Sequence, residues 1–74
     1  MKLTELQVND TATVMSLHNL DKAYVQRLMD IGVYENAEIT LVRCLSNGRL
    51  FLIEVDDIEI CIRKDDADKI EVLK

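Results

Sequence analysis

Apolar and polar positions over residues 20–32 follow the 3.6-residue period of an α-helix. The apolar positions that share one face are Val25, Leu28, Met29 and Ile31. Asp21 is the predicted N-cap, since its carboxylate can accept from the free N–H groups of the first turn, and Leu20 and Val25 have the spacing of a hydrophobic staple. Gly32 stands where a left-handed C-cap residue belongs. A helix of about three turns is not stable alone in water, so we expect its apolar face to dock on the rest of the chain.

Five other segments alternate along the chain with the two-residue period that is typical of β-strands. The predicted strands are Thr11–Leu17, Ala37–Cys44, Leu50–Val55, Ile58–Arg63 and Lys69–Leu73. Turn signals separate them: Glu35–Asn36 leads into the second strand, Asn47–Gly48 predicts a type I′ turn, and Asp56–Asp57 predicts a two-residue turn. Lys64–Ala67 is interpreted as a polar connection with one turn of 3₁₀ helix.

Strands this short leave exposed edges unless the sheet curls toward closure. We therefore predict a mainly β fold, a small and partly open barrel of about five strands. The one short α-helix, between the first and second strands, plugs this barrel, and the last strand pairs with the first. Residues 1–74 form a single domain with room for one modest core.

Composition and charge exclude several classes of partner. The chain is 49% hydrophobic and 31% charged, as expected for a folded globular domain, and its net charge is −5. An acidic chain lacks the basic footprint that nucleic acids and anionic membranes require. The one locally basic pair, Arg63–Lys64, is followed directly by Asp65 and Asp66. No apolar run approaches the ~18 residues of a membrane span, and no signal-peptide core is present, so we expect a cytoplasmic protein with no direct membrane insertion and reduced cysteines.

Candidate chemical groups are few. There is one histidine, His18, and no Gly-rich phosphate loop, so we predict that the protein is not an enzyme. Cys44, Cys61 and Asp56–Asp57 form no paired metal-ligand motif with His18. We interpret both cysteines as strand packing residues and His18 as a solvated loop residue. The acidic residues Asp65, Asp66, Asp68 and Glu71 are interpreted as a solvated loop. We therefore predict no metal site and no cofactor beyond weak binding of a divalent metal.

Partner binding has better candidates on the helix. Tyr24, Arg27 and Met29 are residue types enriched at protein interfaces. In the alternative interpretation Tyr24 and Met29 complete the core, and Arg27 pairs with a nearby acid such as Asp30 or Asp21.

A second candidate surface lies in the third predicted strand, where residues 50–53 are four apolar residues in a row. Half of a strand faces away from the barrel interior, so either Phe51 with Ile53 or Leu50 with Leu52 faces outward. We assign the outward side to Phe51 and Ile53, and expect it to contact a partner or a second copy in a homo-oligomer.

Three stretches in order carry a resemblance to a known family. Residues 27–39 have the pattern RLxxIGVxxNAxI, which resembles RLxxLGLxPGAxV of the FeoA family. Residues 6–14 (LxxNxxAxV) resemble the family's opening LxxGxxAxV, and residues 60–72 (ICIRKxxAxxIxV) resemble its closing ALRxxxAxxIxV. Asn9 and Asn36 replace the family's glycines, and Glu35 replaces its proline. Asparagine tolerates left-handed backbone, so both turns should survive.

The resemblance implies an SH3-like barrel and a role in bacterial ferrous iron uptake. It implies contact with the cytoplasmic, GTP-binding domain of the transporter FeoB. Two alternatives stay open: a metal sensor or iron chaperone, and a stand-alone regulatory domain similar to the C-terminal domain of repressors of the diphtheria-toxin-repressor type.

Overall fold

Five antiparallel strands form one curled sheet in the computed structural model, which describes all 74 residues. In chain order the elements are a 3₁₀ turn (Leu3–Glu5), β1 (Thr11–Ser16), α1 (Lys22–Asp30), β2 (Glu38–Leu45), β3 (Leu50–Val55), β4 (Ile58–Arg63), α2 (Lys64–Ala67) and β5 (Glu71–Leu73). The strand order β4-β3-β2-β1-β5 leaves β4 and β5 at the two edges, so the barrel is partly open. The mainly β, SH3-like fold with one helix between β1 and β2 is confirmed.

The pairing of the last strand with the first is also confirmed, since Val14 of β1 lies opposite Val72 of β5. The first residues extend this edge, because Leu3 donates its N–H to the Ile70 carbonyl at 3.0 Å. Neither helix has the length and apolar character of a transmembrane span.

The barrel interior is a single cluster of 17 buried apolar residues. No polar or charged residue is buried, so the core is held by apolar packing alone. The side chains with essentially no exposure are Leu3, Val14, Val33, Ile39, Leu41, Ile53, Ile62, Ile70 and Val72. They come from every strand, whose alternate residues point inward, and from the 3₁₀ turn and the segments that follow α1 and α2.

Both ends of α1 have the predicted caps. The Asp21 carboxylate accepts from the Ala23 N–H at 3.1 Å. At the other end Gly32 has a φ of +105°. The Val33 N–H donates to the Leu28 carbonyl at 2.8 Å and the Gly32 N–H to the Met29 carbonyl at 3.1 Å. This bonding is a Schellman motif, and its two apolar members, Leu28 and Val33, are both buried.

The buried face of α1 differs from the predicted one. Leu28 is buried and Val25 is half-buried against the core. Met29 and Ile31 are exposed, at 48% and 38%, so the expectation that they join this face is wrong. Ile31 is the C-cap, where the helix has already ended, and Met29 is rotated about 100° from Leu28. Tyr24, and not Met29 or Ile31, packs half-buried against the core.

Most of the non-glycine residues with positive φ are asparagines or aspartates, and they lie in the turns. Asn36 has a φ of +78°, and the Ala37 N–H closes its turn on the Tyr34 carbonyl at 3.0 Å, so the turn centred on Glu35–Asn36 is confirmed. Asp56 and Asp57 have φ values of +47° and +69° in a two-residue turn, as predicted.

The Asn47–Gly48 turn is not the predicted two-residue turn. Leu45 lies opposite Leu50, so the loop has four residues. Positive φ begins one residue earlier than expected, at Ser46 with +53°. Lys64–Ala67 forms an α-helical turn where a 3₁₀ turn was expected, and Ala67 anchors it in the core.

Candidate protein-binding site

An apolar groove of about 640 Å³ runs beside α1. Its lining comes from the loop after β1, the exposed side of α1 and the turn before β2. The lining residues are Leu17, His18, Leu20, Lys22, Val25, Gln26, Met29, Tyr34 and Glu35. Leu17 and Leu20 are buried and form the floor, whereas Met29 and Tyr34 are 48% and 45% exposed. The protein therefore leaves a thioether and an aromatic ring accessible above an apolar floor.

Local hydrogen bonds fix the shape of this groove. The Leu20 N–H donates to the Leu17 carbonyl at 3.1 Å, which closes the loop that carries the floor. On the rim, His18 Nδ1 hydrogen-bonds the Ser16 hydroxyl. His18 is exposed, as predicted for a loop residue. Gln26 Nε2 donates to Asp30 Oδ1 at 3.0 Å across one helical turn. The rim is thus polar and the centre apolar, the usual anatomy of a protein interface.

Tyr24 packs on the other side of α1, half-buried against the core cluster. Burial raises the pKa of the Tyr24 hydroxyl, and the Asp66 carboxylate raises it further, whereas Arg63 and Arg27 lower it. Tyr24 is not among the residues that line the groove.

Of the three helix residues expected to contact a partner, only Met29 lines the groove. Arg27 is exposed and forms no ion pair with Asp21 or Asp30, in contrast to the alternative interpretation. The sequence analysis missed Tyr34 as a groove residue. The available signal was its position between two turn residues, Gly32 and Asn36, where an aromatic ring has no strand or helix to bury it.

Phe51 and Ile53 are not an outward pair, and this prediction is wrong. Phe51 is 5% and Ile53 0% exposed, so both belong to the core. Leu50 and Leu52 face outward and are half-buried. The sequence held the deciding signal, because Glu54 shares the period-two face of Leu50 and Leu52, and a carboxylate marks the solvent side of a strand.

Both cysteines are free and exposed, so their assignment as packing residues is wrong. Cys61 lies opposite Leu52 and shares its outward face, whereas the flanking Ile60 and Ile62 point inward. Nowhere do three or more His, Cys, Asp or Glu side chains converge as a metal-binding group.

Comparisons with known proteins agree with this architecture. A family model for the FeoA domain matches residues 1–74. The FeoA protein from Chlorobium tepidum has a TM-score of 0.92 and 30% identity, over 99% of this chain and 69% of that one. FeoA from Stenotrophomonas maltophilia, complexed with zinc and described as a prokaryotic SH3 domain protein, has a TM-score of 0.81 and 27% identity, over 97% of this chain and 88% of that one. No curated protein matches.

A manganese-dependent transcriptional repressor also shares the fold. Its TM-score is 0.85 at 16% identity, over 99% of this chain but only 40% of the repressor. At this identity the likeness concerns the fold alone. The family model, in contrast, spans every element from the 3₁₀ turn to β5. The chain therefore belongs to the FeoA family, whose small SH3-like domain is linked to ferrous iron transport.

Proposed function

We propose that this protein is a non-enzymatic accessory protein of ferrous iron uptake. It acts by binding the cytoplasmic, GTP-binding domain of the transporter FeoB through the groove beside α1. The observation that carries this proposal is the pair Met29 and Tyr34, about half exposed beside the apolar floor that Leu17 and Leu20 form.

The chemistry of the groove suits a protein segment. Exposed methionine and tyrosine side chains supply large contact areas, and methionine adapts its shape to a partner. The rim carries Lys22 and Glu35, charges of opposite sign that can fix the orientation of a bound segment. An apolar side chain of the partner would fill the centre, with its flanking backbone against the rim.

Titration of ¹⁵N-labelled protein with the GTP-binding domain of FeoB tests the proposal. We expect amide shifts in α1, in residues 18–20 and around Tyr34. Met29→Gln keeps the length of the side chain but removes its apolar character, and it should weaken binding about tenfold. Met15→Gln is the matched control, because Met15 is 47% exposed but does not line the groove. An unchanged spectrum at saturating partner, or equal losses in both variants, would refute the proposal.

A metal sensor or iron chaperone is the second candidate, favoured by the zinc complex of the Stenotrophomonas relative. Titration with Fe(II) or Zn(II) under reducing conditions separates the two. Tight binding that is lost in Cys44→Ser or Cys61→Ser would support the second candidate. Weak binding that neither substitution alters would leave protein contact as the function.

A further inference from the structure

The outer edge of β4 is unpaired. β4 is the terminal strand of the sheet, and its one neighbour is β3. The two-residue turn at Asp56–Asp57 determines which N–H and C=O groups of β4 point to β3 and which point away from the sheet. In such a hairpin the residues that flank the turn exchange hydrogen bonds, and every second residue after them does the same. Ile58, Ile60 and Ile62 therefore bond to β3, and the residues between them point their N–H and C=O groups outward.

Those outward residues are Glu59, Cys61 and Arg63. None of their backbone groups takes part in the hydrogen bonds of the turns, loops and caps. The nearest bond past the strand is from the Lys64 N–H to the Arg49 carbonyl, at 2.8 Å. The edge thus offers three N–H donors and the free carbonyls of Glu59 and Cys61, since the Arg63 carbonyl is at the N-cap of α2. Such an edge is a template for another strand.

The side chains of these three residues have no ion-pair or disulfide partner within the protomer. All three are exposed on the outer face of the sheet. Glu59 lies directly opposite Glu54 of β3, an arrangement of like charges that destabilises a strand pair. Neither Glu59 nor Arg63 forms an ion pair. One end of the edge therefore has an excess of negative charge, and the other end has a free guanidinium.

We propose that β4 pairs antiparallel with β4 of a second copy of this chain, about a two-fold axis at Cys61. In this register Glu59 lies opposite Arg63 of the partner subunit, and the reciprocal pair forms across the axis. Ile60 lies opposite Ile62 of the partner subunit on the inner side. The three residues with outward-pointing backbone groups are the ones that exchange hydrogen bonds, and the two five-stranded sheets become one continuous sheet.

Other registers fail on charge or on backbone direction. An axis at Glu59 places two glutamates opposite each other and Cys61 against Asp57, whereas an axis at Arg63 places two arginines together and runs into α2. An axis at Ile60 or Ile62 matches the backbone directions but sets Cys61 opposite Glu59 or Arg63 of the partner subunit, so Glu59 and Arg63 no longer meet. An axis between two residues places outward-pointing backbone groups opposite residues whose N–H and C=O groups point to β3. The sequence Glu-Ile-Cys-Ile-Arg is thus complementary to itself only about its centre.

The pairing spans residues 59–63 and no more, because the strand ends at the acidic hairpin on one side and at α2 on the other. We therefore expect weak self-association, as is usual for interfaces below the standard size. The groove beside α1 uses none of these residues, so the dimer and the proposed FeoB contact are independent and can fail separately.

Charge reversal tests the register. Sedimentation equilibrium of the wild type up to about 1 mM should show a monomer–dimer equilibrium. Glu59→Arg and Arg63→Glu should each weaken the dimer at least about tenfold, because each creates like-charge pairs on both sides of the axis. The double variant Glu59→Arg/Arg63→Glu exchanges the charges and should restore dimerisation. Both side chains are exposed, so thermal unfolding should confirm that every variant is folded.

Cross-linking of Cys61 provides a second measurement. Across the axis the two Cys61 residues lie opposite each other with Cα atoms about 5.5 Å apart, within reach of a short bismaleimide. Cys44→Ser should keep the cross-linked dimer and Cys61→Ser should lose it. A monomer at every concentration, a dimer insensitive to the single charge reversals, or a double variant that stays monomeric would overturn the proposal.

Discussion

Leu28→Ala tests whether α1 is held by the barrel. Leu28 is 3% exposed and is the one fully buried residue of the helix. Truncation of a buried leucine removes apolar contacts and leaves a cavity, at a cost of about 2–5 kcal/mol. A domain of 74 residues has a total free energy of unfolding of about 4–11 kcal/mol, at roughly 0.05–0.15 kcal/mol per residue. The substitution should therefore remove a large part of the stability of the protein.

The value should be at the upper half of that range, because Leu28 also anchors the Schellman motif. Its carbonyl accepts from the Val33 N–H, and its side chain and that of Val33 are both buried at the helix end. A loss of about 4 kcal/mol corresponds to a decrease in Tm of roughly 16–32 °C in a domain of this size.

Urea unfolding followed by circular dichroism measures the effect. The control is Met29→Ala, the adjacent residue in the same helix, which is 48% exposed and should change the free energy of unfolding by no more than about 0.5 kcal/mol. Equal losses in the two variants, or a loss below about 1 kcal/mol in Leu28→Ala, would refute the conclusion that this face of α1 completes the core.

Two further predictions concern the helix cap and an acid-sensitive contact. Asp21→Ala should cost about 1 kcal/mol in urea unfolding, because it removes the acceptor of the Ala23 N–H, whereas Asp30→Ala, at the opposite end of α1, should not. The Thr4 hydroxyl hydrogen bond, together with Lys64, holds the pKa of Asp68 below its usual 3.8. A lowered carboxyl pKa stabilises the fold above pH 3.8, and this contribution is lost as the pH falls from there through the folded-state pKa. In Thr4→Val, NMR titration should show the pKa of Asp68 move up toward its ordinary value, with Asp10 unchanged.

The strands and caps could be predicted because their signals are local. β3 and β4 have the predicted bounds, and the period of two in each is set by neighbouring residues. Asp21 and Gly32 were identifiable because capping depends on backbone groups within one helical turn. The Asp56–Asp57 turn was predictable for the same reason, because the two residues that form it are adjacent in sequence.

The failures concern which face of an element is covered by distant parts of the chain. Phe51 and Leu52 are both apolar, so their own side chains do not show which of them lies inside, and the only local signal was Glu54 on the face of Leu52. Cys61 has apolar neighbours on both sides, so its sequence context favoured burial, although its strand position directs it outward. Met29 and Tyr34 form a groove only because the loop after β1 and the turn before β2 meet beside α1.

The strand order also determines how the chain must fold. β2, β3 and β4 are joined by short loops and can pair as soon as they exist, whereas Thr13 of β1 meets Leu73 of β5 from almost the opposite end of the chain. Contacts so distant in sequence slow the search for the native topology. During synthesis β1 can pair with β2, but its other edge stays unpaired until β5 has left the ribosome.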